Sequence, residues 1–301
     1  MKAFCYCFNQ QGTNGSLAFT YTFLLSPHTI SWFRMPLPLR NARIKLPQGQ
    51  IFWREVGHGR SIVFLHGSWD DSSQWLPLVE RLSTTYHCLA PDLLGFGESE
   101  CPNVHYSIEL AVECLAAHLD ALKLRRVYLV GHSLGGWIAA SYALKYLDRV
   151  EGLVLLAPEG VQVKGLGWRW WKARWLKLPV VGWGLRSLHA LRKFLKLRRV
   201  EQLLQRRRQL LTFPVACKLL FQRRRAEIRA EQLQEQLQWL KVPVLVLQGD
   251  QDKPTVTLLG QTYAQLAPDA KLQQLPSGKS TLLETQPDEV AQAIRAFVEN
   301  G

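Results

Sequence analysis

Long apolar runs are missing from this chain. No stretch of about 18 apolar residues occurs, so no bilayer-spanning helix is expected. Cysteine is sparse and unpatterned. The six cysteines (5, 7, 88, 101, 114 and 217) include no C-x-x-C pair and no histidine at metal-ligand spacing, and Cys5-x-Cys7 is too tight for an ordinary zinc knuckle. Reduced, structural thiols in a cytosol-like compartment follow, with no metal and no cofactor called for. Acidic residues are absent from positions 1–40, and aspartate is absent from 160–241. Both gaps mark segments that differ from the rest.

What is present is globular. Hydrophobic residues make up 47% and charged residues 20%, which excludes disorder throughout. The 301 residues accommodate one large α/β domain with an insertion, or two domains. The net charge of +13 is unevenly spread: residues 160–241 hold 20 Lys and Arg against four Glu, whereas the remainder holds 17 basic and 20 acidic residues. A strongly basic insertion therefore sits in a mildly acidic body. Residues 1–40 carry Lys2, Arg34 and Arg40 among Ser, Thr and aromatics. They read as a disordered or targeting extension of the transit type, as a non-native segment ahead of a start at Met35, or as a weak signal peptide.

From residue 41 the pattern is regular. Two strands, Ala42–Leu46 and Gln50–Val56, flank the turn Pro47-Gln48-Gly49. Short apolar runs follow at Ser61–Leu65, Tyr86–Ala90, Val127–Val130, Val150–Leu156, Val242–Gln248 and Lys271–Leu275, alternating with helix-compatible segments. Ser107 is placed to cap a helix that runs to Leu122. This alternation predicts an α/β fold with a mostly parallel sheet flanked by helices.

One stretch carries chemistry. Val127–Val130 runs into Gly131-His132-Ser133-Leu134-Gly135-Gly136, and a helix-compatible run follows from Trp137. Strand, sharp turn and helix present Ser133 at the apex, with Gly131 and Gly135 letting strand and helix approach closely. Such an arrangement exposes a serine nucleophile.

With these marks the chain resembles α/β-hydrolase-fold proteins from about residue 41 to the C-terminus. The matching residues are His66-Gly67 after the third strand, Asp92-x-x-Gly95-x-Gly97-x-Ser99, the segment around Ser133, and Gly249-x-x-Asp252. The resemblance implies a core made of 41–159 and 242–301, with a basic, Trp-rich helical cap at 160–241. It implies backbone oxyanion donors at Ser68 and Leu134, and Asp252 as the acid that orients a base. Asp250 is the neighbouring alternative and Glu159 a second place where such folds carry the acid. His66, Gly67, Gly131, His132 and Gly135 are motif or structural positions.

The chain departs from the family at one point. Where relatives usually carry the catalytic histidine, Lys279 stands in Gly278-Lys279-Ser280. A lysine ordinarily titrates near about 10.4, and beside a carboxylate it stays protonated, unable to take a proton from Ser133. A phosphate loop is excluded, because Gln273 replaces the first glycine that such a loop needs. The triad is therefore altered.

In the insertion, Trp168, Trp171, Trp175 and Leu178 share one helical face, while Arg169, Lys172, Arg174 and Lys177 lie mostly elsewhere. Leu185, Leu188, Leu191, Phe194 and Leu197 continue the stripe. Tryptophan opposite cations suits an anionic membrane surface bound through residues 165–199. The plainer alternative is a cap whose apolar stripe covers the pocket and whose basic face is solvated. Arg206-Arg207-Arg208 and Arg223-Arg224-Arg225 raise nucleic acid, which ranks lower because no nucleic-acid-binding fold is visible. Two functions follow as expectations. One is a membrane-associated ester hydrolase acting on an apolar ester or lipid-like small molecule, in a cytoplasmic or stroma-like compartment. The other is a catalytically silent protein of the same fold that binds a lipid or partner through its cap.

Overall fold

The computed structural model describes residues 38–190, 198–276 and 282–300, the side chains of 186–190 and 198 excepted. The extension up to residue 37, the side chain of Leu188, residues Leu191, Phe194 and Leu197, and Lys279 lie outside the described residues.

Eight strands form one sheet: β1 (Arg40–Leu46), β2 (Gly49–Val56), β3 (Ser61–Leu65), β4 (His87–Pro91), β5 (Val127–His132), β6 (Val150–Leu156), β7 (Val244–Gly249) and β8 (Ala270–Leu275). Their order across the sheet is β1-β2-β4-β3-β5-β6-β7-β8. β2 runs antiparallel to both β1 and β4; every other pairing is parallel. β1 begins at Arg40, whose guanidinium meets Glu55 across the hairpin at 3.2 Å. The sheet thus starts one residue inside the segment that composition set apart.

The helices are α1 (Leu76–Leu82), α2 (Ile108–Ala121), α3 (Leu134–Lys145), α4 (Leu166–Lys177), α5 (Pro179–Ala190), α6 (Arg198–Thr212), α7 (Pro214–Cys217), α8 (Arg225–Ala230), α9 (Pro254–Leu266), α10 (Leu282–Thr285) and α11 (Pro287–Asn300). Successive strand residues point to opposite faces, and each face has its own core. Leu65, Leu129, Leu153 and Val246 pack with Leu115, Ile138 and Tyr263 of α2, α3 and α9. Phe64, Val130, Val154 and Leu247 pack with Leu78, Val290 and Ile294 of α1 and α11. Burial on both faces explains why the central strands read as unbroken apolar runs rather than alternating ones. Ser107 caps α2 as expected, its Oγ accepting from the Leu110 N–H at 2.9 Å.

Residues between β6 and β7 supply α4 to α8. The run expected as one helix from 165 to 181 is two: α4 stops at Lys177, Leu178 is extended, and Pro179 opens α5. A residue before proline is pushed out of the helical region, while proline fits a first helical turn. Leu176, Leu204, Leu210, Val215 and Phe221 anchor this insertion in the core shared with α2 and α3. Among the described residues no helix is long and apolar enough to cross a membrane.

Candidate active site

Parallel strands place the loops after β3, β5, β6 and β7 along one edge of the sheet, outside their carboxyl ends. Ligand sites of open α/β sheets form there. Ser68 follows β3, Ser133 follows β5, Glu159 follows β6 and Asp252 follows β7.

Ser133 sits at φ 52°, ψ −110°, a left-handed conformation that side-chain-bearing residues rarely adopt. Four backbone bonds hold it there. Its N–H donates to Leu156 O at 2.9 Å, and its carbonyl accepts from the N–H groups of Gly136 (3.1 Å), Trp137 (3.2 Å) and Glu159 (3.0 Å). The glycines make the turn possible. A Cβ on Gly131 would lie 2.6 Å from the backbone of Gly135 and Gly136, and one on Gly135 would lie 2.1 Å from Leu65 O. The strain is over-determined by its surroundings, as it must be to persist.

The oxyanion candidates flank this turn. Leu134 opens α3 and Ser68 is buried on the loop after β3, beside Gly67. Their N–H groups meet no acceptor among the described residues. The Ser68 hydroxyl is likewise buried without a partner. Unsatisfied donors at a helix start favour a negatively charged oxygen.

His66 and His132 are structural in their bonding. His66 Nε2 accepts from the Leu93 N–H at 3.0 Å, and its Nδ1 donates to Gly67 O at 2.9 Å. Burial keeps it below the ordinary histidine range. His132 Nδ1 accepts from the Gln74 amide at 3.3 Å, and burial, with His66 beside it, pushes the imidazole down to about 4. No hydrogen bond joins Ser133 to a histidine among the described residues. The motif around Asp92 is also architectural: its carboxylate accepts from the N–H groups of Ser72 and Glu98, both at 2.7 Å. A Cβ on Gly97 would meet that carboxylate at 2.1 Å.

Asp252 closes a tight turn. Its N–H donates to Gly249 O at 3.2 Å, and its Oδ2 accepts from the Gly249 N–H at 3.1 Å. Asp250 is exposed and its N–H donates to Leu275 O. Glu159 is buried, and Arg169 of α4 meets its carboxylate at 3.0 Å. Tyr263 of α9 donates to the Glu159 carbonyl at 2.6 Å, and burial pushes that phenol far above its usual range.

Sequence reasoning read Arg169 and Arg206 as surface cations of the insertion and did not place them at this edge. Arg206 lies over the Trp69 ring, 4.8 Å from its centroid, one residue from Ser68. Burial and the neighbouring Arg169 hold its pKa below the ordinary arginine value. Phe213 joins Trp69 and Phe96 there, its ring centroid 6.4 Å from each. No local motif could have identified them, because they arrive on helices from a different part of the chain. Burial pushes the Cys88 and Cys114 thiols up to about 12, leaving these two inert.

Comparison with known proteins bears on the fold and family. A 2-hydroxy-6-oxo-2,4-heptadienoate hydrolase of Pseudomonas putida is 40% identical over 111 residues, 36% of this chain and 40% of that protein. The rat 1-acylglycerol-3-phosphate O-acyltransferase ABHD5 is 35% identical over 135 residues, 42% of this chain and 38% of that one. The chain therefore spans about two fifths of the length of these curated relatives. Among solved structures, a bacterial membrane phospholipase A matches with a TM-score of 0.68 at 22% identity, covering 87% of this chain and 86% of that one. A meta-cleavage product hydrolase of Pseudomonas fluorescens matches with a TM-score of 0.68 at 22% identity, covering 86% and 97%. At this identity the structural likeness establishes the fold. The sequence model described as the Alpha/beta hydrolase family matches residues 62–293, and the chain belongs to that family.

Proposed function

We propose that the protein is a membrane-associated ester hydrolase with Ser133 as its nucleophile. The observation that carries this reading is the strained φ of 52° at Ser133, with an acceptor-free amide at Leu134 next to it in the chain and another at Ser68 on the loop after β3. Attack of Ser133 Oγ on an ester carbonyl forms an acyl-serine and releases the alcohol; water then frees the acid. The two amides stabilise the oxyanion of each tetrahedral intermediate without reorganising. Asp252 orients the base, whose identity is open because Lys279 stands at the family's histidine position. Residues 160–241 act as the cap, and its aromatic contacts near Ser68 favour an apolar acyl or alkyl group. Lipid chemistry in the names of two similar proteins, a membrane phospholipase A and an acylglycerol-phosphate acyltransferase, supports that substrate class.

Membrane association rests on exposure. Trp168, Trp171, Trp175 and Trp183 are 59%, 52%, 56% and 70% exposed, far from the burial that tryptophan usually finds. The stripe is therefore largely exposed, although Trp168 and Trp171 also border a cavity. Rings beside Lys172, Arg174 and Lys177 suit an anionic interface, each cation near it contributing roughly 1 kcal/mol. Binding to anionic vesicles is expected to fall at least tenfold in a Trp168→Ser, Trp171→Ser, Trp175→Ser variant and to weaken with salt. Preference for duplex DNA over those vesicles at physiological salt would overturn it.

A second reading has its own observation: no histidine bonds to Ser133 among the described residues, and Lys279 occupies the base position. On that reading the protein is catalytically silent and binds a lipid or partner. Fluorophosphonate labelling separates the two. Labelling of the intact chain that vanishes in Ser133→Ala supports the hydrolase. An unlabelled wild type together with a labelled Lys279→His supports the silent protein.

A further inference from the structure

One large cavity among the described residues does not have Ser133 in its lining. It lies between the loop after β6, α4, the π-helical turn Lys218–Gln222 and α8, with a volume of about 540 Å³. That falls within the ~300–1,000 Å³ usual for small-molecule sites. Ser68, Leu134 and Asp252 are also absent from its lining. Glu159, whose N–H donates to the Ser133 carbonyl, borders it, so the cavity adjoins the turn without being lined by its serine.

Its wall is apolar and aromatic. Trp168, Trp170, Trp171, Phe221 and Ile228 line it, with Trp170 stacked on Phe221 at 5.4 Å between centroids. Its cations are Arg174, Arg225 and Arg229. Arg174 is fixed by donating its Nε–H to Phe221 O at 2.6 Å. Nearby Arg223 and Arg224 pair with Glu231 and Glu227, but Arg174, Arg225 and Arg229 pair with no carboxylate among the described residues. The lining glutamines Gln162 and Gln232 bond to each other at 2.7 Å. A nucleobase or sugar therefore finds few free polar anchors, whereas a long apolar group finds a continuous wall.

We infer that this cavity is a separate binding site for a single-chain anionic amphiphile. The alkyl chain lies against the tryptophans and Phe221, and the carboxylate or phosphate head meets Arg225 and Arg229. The site does not depend on turnover at Ser133, and its test needs no membrane.

Binding of laurate, dodecyl phosphate, dodecanol and AMP to the full chain is measured calorimetrically, each below its micelle concentration. One equivalent of laurate or dodecyl phosphate is expected to bind, at least tenfold more tightly than dodecanol or AMP. The ratio of the two anions shows whether the head is carboxylate or phosphate. Arg225→Gln with Arg229→Gln should abolish the advantage over dodecanol. Gly167 lines the cavity, and a Cβ built there meets nothing within 4 Å, so Gly167→Leu adds a bulky side chain at the cavity wall with no clash at its Cβ. That variant should weaken laurate at least tenfold. Laurate binding should persist in Ser133→Ala; its loss there would place the chain in the nucleophile site and overturn the proposal. Absence of saturable binding, equal affinity for dodecanol, tighter binding of AMP, or indifference to both cavity variants would also overturn it.

Discussion

The turn around Ser133 and the helix α4 are both basic-to-neutral, glycine-containing and tryptophan-adjacent, yet they obey opposite constraints. Around Ser133, geometry leaves no freedom: glycines face backbone at 2.1–2.6 Å, and the buried histidines are held neutral. On α4, Gly167 faces open space, four large apolar side chains from Trp168 to Leu178 are exposed, and cations outnumber their partners. The first region is specified from within the fold. The second has side chains that the fold itself does not require, and such surplus is what a ligand or surface would use.

The largest expected effect tests the first half of that contrast. Gly135→Ala places a Cβ 2.1 Å from Leu65 O and 2.7 Å from His66 O, both backbone atoms that cannot rotate away. Separation of β3 from α3 should destabilise the chain by about 3 kcal/mol, near the upper end for overpacking. Urea unfolding of the variant checks it, and a loss under 1 kcal/mol would show that the turn is looser than its geometry says.

The next effect concerns a tie between the insertion and the core that involves a buried charge. Arg169 reaches from α4 to Glu159, whose side chain is only 4% exposed. Arg169→Met leaves that carboxylate without its cation. Breaking a buried pair costs ~3–5 kcal/mol, and because the Arg169 side chain is itself 31% exposed, about 2 kcal/mol is expected here. Adding Glu159→Gln should recover most of it. If the double variant is no better than the single one, packing and not charge joins the insertion to the core.

These two regions also differ in how far the sequence alone reveals them. Ser61–Leu65 and Val150–Leu156 were legible to the residue because strands buried on both faces show as short, mostly apolar runs, Ile62–Leu65 and Leu153–Leu156 being continuous. The turn around Ser133 was legible because its glycines, which answer to backbone collisions, form a local pattern within a few residues. Burial of Glu159 by Arg169, and the seat of Arg206 on Trp69, were not. Both join residues on separate elements, and an arginine in a basic helix looks the same in sequence whether it is solvated or buried. The break at Pro179 was readable in principle, since proline punctuates helices, but the apolar periodicity on either side concealed it.

A pH dependence sharpens the description of the core. His118 is buried on α2 against Trp53, with ring centroids 5.0 Å apart, and burial pushes its pKa down to about 4. The unfolded chain binds this proton from about pH 6.5 downward, while the folded chain resists it to about 4. Stability is therefore full above about pH 6.5 and falls as the pH drops towards 4, by up to ~1.4 kcal/mol per unit for this one group. His118→Phe keeps a ring beside Trp53 and should reduce the slope by one proton. An unchanged slope would place the acid sensitivity elsewhere.

The smallest effect is expected on α4, and its sign matters more than its size. Gly167 is the second residue of α4, no left-handed φ requires a glycine there, and an added Cβ meets nothing within 4 Å. Alanine restricts the unfolded chain and favours the helix, so Gly167→Ala should stabilise by ~0.5–1 kcal/mol. The same substitution thus runs in opposite directions at Gly135 and Gly167. Because a methyl group occupies little of a cavity of about 540 Å³, the stabilised variant should still bind laurate. Stabilisation with loss of laurate would mean that Gly167 is kept for close approach of the ligand chain, and the cavity would then be tighter at that wall than its open volume implies.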